Sequence, residues 1–193
     1  MKTGLKVLLF AEACFTIAAG MLGPIYAVFV EEIGGNILDA SSAWAVFMLT
    51  MGIIVFLIGR WEDKLRHKER MVIIGYVIRA IGYLGYVFVY NQPALLAVQI
   101  ILGIGGALNI PAYDSMYTKF LDKGKEASEW ADWEAMYYIM TAFAAIFGGI
   151  VASVFGFRAL FLIMFIFSLI GMASSIKLMY LYRKVLGIFK ISA

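Results

Sequence analysis

Five ionisable side chains stand inside or at the edge of long apolar runs: Glu12, Arg79, Asp114, Asp132 and Glu134. A charge at the centre of a bilayer costs about 2.5–3.5 kcal/mol on insertion scales, so each of them needs a partner, water or a function. Glu12, Thr16, Gly20 and Gly23 recur at i, i+4, i+8 and i+11, which makes one small, polar stripe on a helix. Glu134, Tyr138 and Thr141 make a second stripe, and Asn109 and Tyr113 a shorter third. Stripes of this kind face protein or a cavity rather than lipid. Their carboxylates, hydroxyls and amide suit the passage of a proton, an ion or a polar solute. The pathway candidates are therefore Glu12, Thr16, Asn109, Tyr113, Glu134 and Tyr138. Arg79, Asp114 and Asp132 read better as a structural charge network. Arg79 has a carboxylate such as Asp114 to pair with, and Asp132 opens its helix, where negative charge is favoured.

The elements that carry these residues follow from composition. The chain has 193 residues, 63% of them hydrophobic and 15% charged, against about 25% charged in a soluble domain. Mean hydropathy is +0.89. These values describe an integral, multi-pass membrane protein whose first partner is the lipid bilayer. A spanning helix takes about 20 mainly apolar residues. Six runs qualify, at about 5–30, 42–59, 71–90, 94–118, 131–155 and 159–182, joined by short loops. The expected fold is all-α, a bundle of six transmembrane helices in a single domain over 1–193. The first run is too long for a signal peptide and reads as a retained helix. Pro24 in the first run and Pro111 in the fourth remove a backbone donor and bend their helices.

Several function classes fall away. The one cysteine, Cys14, leaves no disulfide within the chain and no cysteine-based metal site. The one histidine, His67, lies in an aqueous loop, so an intramembrane Ser–His dyad is ruled out. We expect no cofactor, no metal and no enzymatic activity. Net charge is +3, but the basic residues are gathered in loops, so nucleic acid is not an expected partner.

Those loops set the orientation. The stretch 59–70 carries Arg60, Lys64, Arg66, Lys68 and Arg70 between two apolar runs. Basic residues in short loops mark the cytoplasmic side. Lys2 and Lys6, the cluster Lys119, Lys123 and Lys125, and the tail residues Lys177, Arg183, Lys184 and Lys190 fall on that same side when six spans are counted. Arg158 alone falls opposite, and the loop with Glu31, Glu32 and Asp39 has no basic residue. Both termini are expected in the cytoplasm, with the protein in the cell membrane. All five intramembrane charges then lie in the cytoplasmic half, with Glu12 about 10 Å and Arg79 about 12 Å from the inner ends of their helices.

The 59–70 loop also carries a pattern. Gly59, Asp63, Lys64 and Lys68 resemble the signature between the second and third helices of the major facilitator superfamily, with Arg66 where that family usually has a second glycine. The run 102–108 with Pro111-Ala112 is similar to the family's fourth helix, with Gln99 where an arginine often stands. Gly148-Gly149 and then Phe155-Gly156-Phe157-Arg158 and Phe161 resemble the close of the fifth helix and the entry to the sixth. The resemblance covers the chain in order, as one N-terminal-type half of a transporter of twelve helices. It implies a half of a major-facilitator-type fold. It also implies alternating access around a small solute bound between two halves, with the first and fourth helices at the cavity. Gly59, Asp63, Lys64 and Lys68 would then be a conformational-switch loop.

The expected function is a secondary transporter of a small-molecule substrate, working as a homodimer or with a second half-transporter. The competing expectation is a non-transporting membrane subunit or a truncated half. The orientation is testable directly. Cysteine placed at Asn36 is labelled by an impermeant reagent from outside, and cysteine placed at His67 is not. The reverse pattern overturns it.

Overall fold

The computed structural model describes residues 2–62 and 67–185. Helix α1 (Thr3–Leu22) passes through one 3-10 turn at Gly23–Ile25 into α2 (Tyr26–Glu32). Pro24 sits in the first positions of that turn, where its missing N–H costs nothing, and the path tightens without stopping. Helix α3 (Ile37–Glu62) begins at a reciprocal cap. Asn36 Oδ1 accepts from the backbone N–H of Leu38 (2.8 Å) and Asp39 (3.2 Å), while Asp39 Oδ2 accepts from the Asn36 N–H (2.9 Å). Helix α4 (Lys68–Gly85) follows. Helix α5 (Gln92–Phe120) is capped by Asn91, whose Oδ1 accepts from Ala94 N–H at 2.9 Å, with Pro93 in the first turn. Pro111 lies inside α5, which continues through it.

The last element, α6 (Glu126–Val185), has 60 residues. Straight, it would run about 90 Å, roughly three times the hydrocarbon thickness of a bilayer. It is broken at Gly156, whose φ of 80° and ψ of 169° are open to glycine and strained for any other residue. The two arms, 126–155 and 157–185, run in opposite directions. Along the first arm, Thr141 lies beside Gly20 of α1 and Gly148 lies on Met21. Along the second, Phe161 packs edge-on to Phe29 (4.8 Å) and Gly171 lies against Ala11 and Phe15. The expected fifth and sixth spans both fall within α6, one on each side of this break. Among the described residues there are five helical runs long and apolar enough to cross a membrane, and no strand.

α1 is the central element. It is held between both arms of α6, and its N-terminal end meets the C-terminal end of α5. There Lys2 Nζ donates to the Leu121 carbonyl at 2.8 Å and pairs with Asp122 at 3.3 Å. α4 packs on α5, and α3 rests chiefly on α5 at the edge of the bundle. In lipid, helices associate by close packing rather than by the hydrophobic effect. α4 and α5 cross at two glycines. A Cβ on Gly75 would stand 2.7 Å from the Gly105 carbonyl oxygen, and one on Gly105 would stand 3.0 Å from that of Gly75. Large apolar side chains of α3 (Leu49, Ile53, Phe56) and of the first arm (Phe143, Ile146, Phe155) point outward. Such a surface is far more apolar than that of a water-soluble protein and is the surface of a membrane protein.

Adjacent glycines on the first arm make a paired test of this packing. A Cβ on Gly148 would fall on the Met21 carbonyl oxygen and 2.6 Å from its Cα, whereas nothing lies within 4 Å of one on Gly149. Gly148→Ala therefore lowers stability by about 1–3 kcal/mol through overpacking against backbone. Gly149→Ala is neutral or stabilising by up to about 1 kcal/mol through helix propensity. Thermal melts of both variants in one detergent check this, and equal melting of the two overturns the packing.

Candidate functional site: a polar cavity on one side of the bundle

The helices leave a cavity of about 550 Å³ lined from α1, α3, α4, α5 and both arms of α6. At one end of it stand two pairs of residues, each spaced i, i+3 so that both members share a helix face, with Glu12 and Arg79 lining the cavity and Phe15 and Tyr76 packed behind them. α1 supplies Glu12 and Phe15, and α4 supplies Tyr76 and Arg79. Tyr76 stacks on Phe15 with ring centroids 4.0 Å apart and planes 8° from parallel. Its hydroxyl donates to Glu12 Oε2 at 2.8 Å. Arg79 lies over the other part of the same surface, with Cζ 4.8 Å from the Phe15 centroid and Nη1 4.0 Å from Glu12 Oε1. The carboxylate therefore has one neutral donor and one cation, and the guanidinium has a carboxylate and an aromatic face.

α5 forms the next wall. Asn109 is 1% exposed and donates from Nδ2 to the Val72 carbonyl at 3.3 Å, leaving Oδ1 without a partner. The Tyr113 hydroxyl is likewise buried and without a hydrogen bond, as is the Trp133 indole N–H on the first arm of α6. Asp114 follows Tyr113 at the cavity edge and remains exposed. Further along α5, Gln99 Nε2 donates to the Tyr26 hydroxyl at 2.5 Å and ties α5 to α2 just beyond the Pro24 turn. The first arm contributes Trp133, Tyr137 and Thr141, with the rings of Trp133 and Tyr137 stacked at 5.7 Å.

Of the expected pathway residues, Glu12, Thr16, Asn109 and Tyr113 all line this cavity. Glu134 and Tyr138 do not. They are exposed on the outer side of α6, and the cavity stripe on that arm is Trp133, Tyr137 and Thr141 instead. The difference is one residue, about 100° of helix rotation, set by the contact of Thr141 and Ala144 with Gly20. In the charge network, Arg79 pairs with Glu12 rather than with Asp114, because Phe15 and Tyr76 fix α1 against α4. Among the described residues Asp114 and Asp132 have no ion pair, and Asp132 is exposed. In the switch loop, Gly59 lies near the end of α3. Lys68 donates to Ser115 Oγ at 2.9 Å. Asp63 and Lys64 lie outside the described residues. Sequence reasoning missed Phe15, Tyr76 and Trp133; the i, i+3 partnership of Phe15 with Glu12 and of Tyr76 with Arg79 was the available signal.

Comparison with known proteins agrees with this geometry. The sequence model of the Major Facilitator Superfamily matches residues 8–187. The uncharacterized MFS-type transporter YttB of Bacillus subtilis (strain 168) is 27% identical over 154 residues, 78% of this chain and 38% of that protein. The uncharacterized MFS-type transporter YitZ of the same organism is 22% identical over 144 residues, 75% of this chain and 87% of that protein. Among solved structures, the POT family transporter PepTSo superposes with a TM-score of 0.74 at 16% identity, over 95% of this chain and 38% of that one. The chain thus spans well under half the length of YttB and of PepTSo.

The Glu12–Arg79 pair yields a coupling measurement. Glu12→Gln and Arg79→Gln each lower stability by about 1–3 kcal/mol, since each leaves a partly buried charge or dipole without its counterpart. The double variant is no less stable than the worse single one, because the two losses are one interaction. Thermal or denaturant unfolding in detergent measures the cycle. Additive losses overturn the pairing.

Proposed function

The chain belongs to the Major Facilitator Superfamily, and from that premise we propose that it is one half of a secondary transporter that carries a small solute by alternating access. The two arms of α6 serve as two spans, giving a bundle of six, and a second half closes the cavity from the opposite side. That second half is another copy of this chain or a partner of the same kind. The protein sits in the cell membrane with both termini in the cytoplasm, which places the start of α1, the 59–70 loop and the end of α5 on the inner face. It is not an enzyme; its work is to bind and release.

The observation that carries this reading is the cavity's missing wall. A small-molecule site is usually enclosed over most of its surface. Here Trp44 is 52% exposed, Ile110 42% and Tyr137 41%, although all three line the cavity. Their exposure falls along the side between α3 and the first arm of α6, where a second half belongs. YitZ, described as an MFS-type transporter and matched over 87% of its length, supports the transporter reading. Gly59, Asp63, Lys64 and Lys68 are proposed as the loop that switches between states, on the strength of their match to the family signature. An anionic side chain such as Asp63 is drawn to the N-terminal end of a helix in the facing half.

Oligomeric mass in lipid nanodiscs, together with cavity accessibility, tests the proposal. In a Cys14→Ala background, cysteine at Thr141 in membrane vesicles reacts with impermeant reagents from either side, and only in assemblies of two halves. Reaction from one side alone overturns alternating access. A lone chain that reacts equally from both sides overturns the two-half arrangement.

A further inference from the structure

The charges and faces of the cavity are asymmetric in a way that selects a ligand. Glu12 accepts from Tyr76 and has Arg79 as its counter-charge at 4.0 Å, and the Arg79 guanidinium lies over the Phe15 ring. Asp114 lines the same cavity, and among the described residues its carboxylate has neither an ion pair nor a hydrogen bond. The cavity therefore carries one uncompensated negative charge and no uncompensated positive one.

Two further observations point the same way. Asn109 is 1% exposed and commits its amide N–H to the Val72 carbonyl. What remains is Oδ1, an acceptor without a donor, which a ligand N–H would satisfy. On the facing arm, Trp133 and Tyr137 stack on one another and both line the cavity, so they offer the π-faces to which a cation is attracted. Asn109 and Asp114 are five residues apart on α5, about 7.5 Å along its axis, a span that a single small ligand can bridge.

We propose that this cavity takes a small aromatic or aliphatic amine in its protonated form. The ammonium is held by Asp114, an N–H meets Asn109 Oδ1, and the apolar body lies against Trp133 and Tyr137. An anion of the same shape would face the Asp114 carboxylate, with Arg79 already beside Glu12 and only the neutral Trp133 N–H and Tyr113 hydroxyl left as donors. This inference names the solute of the transporter reading and rests on it for the role of the cavity, but it is decided by binding alone.

The test is calorimetric titration of the purified protein with three probes of similar shape: tryptamine, indole-3-acetate and neutral indole. Tryptamine is expected to bind at least about tenfold more tightly than indole-3-acetate, the effect of one charge-assisted contact. Asp114→Asn removes most of that preference, and Asp114→Glu restores part of it. Equal binding of the two ions, preference for the anion, or no binding of any probe at millimolar concentration overturns the proposal. The wild-type comparison decides even where Asp114→Asn fails to fold. Transport fails separately. Cation binding without alternating accessibility at Thr141 keeps this inference and removes the transporter, and alternating accessibility with anion preference does the reverse.

Discussion

A carboxylate and a guanidinium in the middle of an apolar bundle cannot each stand alone, and the pairing of Glu12 with Arg79 sets the register of the helices around it. α1 and α4 must approach closely enough to join them, and they must do so at one angle. The stack of Phe15 on Tyr76 fixes that angle while the Tyr76 hydroxyl takes the second carboxylate oxygen. With α4 so placed, Gly75 admits α5 at Gly105. That approach brings Asn109 to the Val72 carbonyl and turns Tyr113 and Asp114 to the same side. The polar wall of α5 is thus a consequence of the pair on α1 and α4, even though no residue of α5 takes part in it.

The opposite end of the cavity is held by different means. Pro24 tightens the run between α1 and α2 into a 3-10 turn, and the next residues deliver Tyr26 to Gln99. The bond between them is neutral on both sides, where an arginine often stands in the family. The charged groups of the cavity are consequently confined to the half containing Glu12, Arg79 and Asp114. A ligand entering there meets charge at one end and an amide and hydroxyls at the other. Satisfied groups give this end rigidity, while the buried unpaired oxygens of Asn109 and Tyr113, nearer the charged end, leave the cavity capacity to bind.

Much of this was legible along the chain because helical period and membrane thickness are local properties. The apolar runs mark the helices, Pro24 marks a turn, and Gly156 breaks α6 in the gap between two runs. The stripe Glu12–Thr16 and the pair Asn109–Tyr113 reach the cavity because each is a short-range pattern on one helix. What the sequence could not supply is rotation between helices. Glu134–Tyr138–Thr141 and Trp133–Tyr137–Thr141 are equally regular, and only the seating of Gly20 against Thr141 and Ala144 selects the second. The partner of Arg79 was open for the same reason. Glu12 and Asp114 are both in reach by depth, and aromatic stacking between α1 and α4, not depth, decides for Glu12.

The same packing explains why one side of the bundle is unfinished. α1 is enclosed by α6, and α4 by α5, but α3 leans chiefly on α5, and the first arm of α6 rests on α1 at Gly20 and Met21 and on α5 at Tyr117. These two edges do not close over the cavity between them, and the residues they contribute to its lining are among its most exposed. Hydrocarbon is a poor neighbour for that opening. A carboxylate such as Asp114 would face lipid at a cost of a few kcal/mol, and so would the unpaired oxygens behind it. The neighbour must then be water or protein that can answer polar groups while its outer surface stays apolar. A second bundle built on the same plan meets both conditions, since its own cavity side is polar and its lipid side is not. Two such sides facing one another bury their charges in a shared, wet space rather than in oil. That is the physical argument behind the proposed pairing of two like halves with the solute between them.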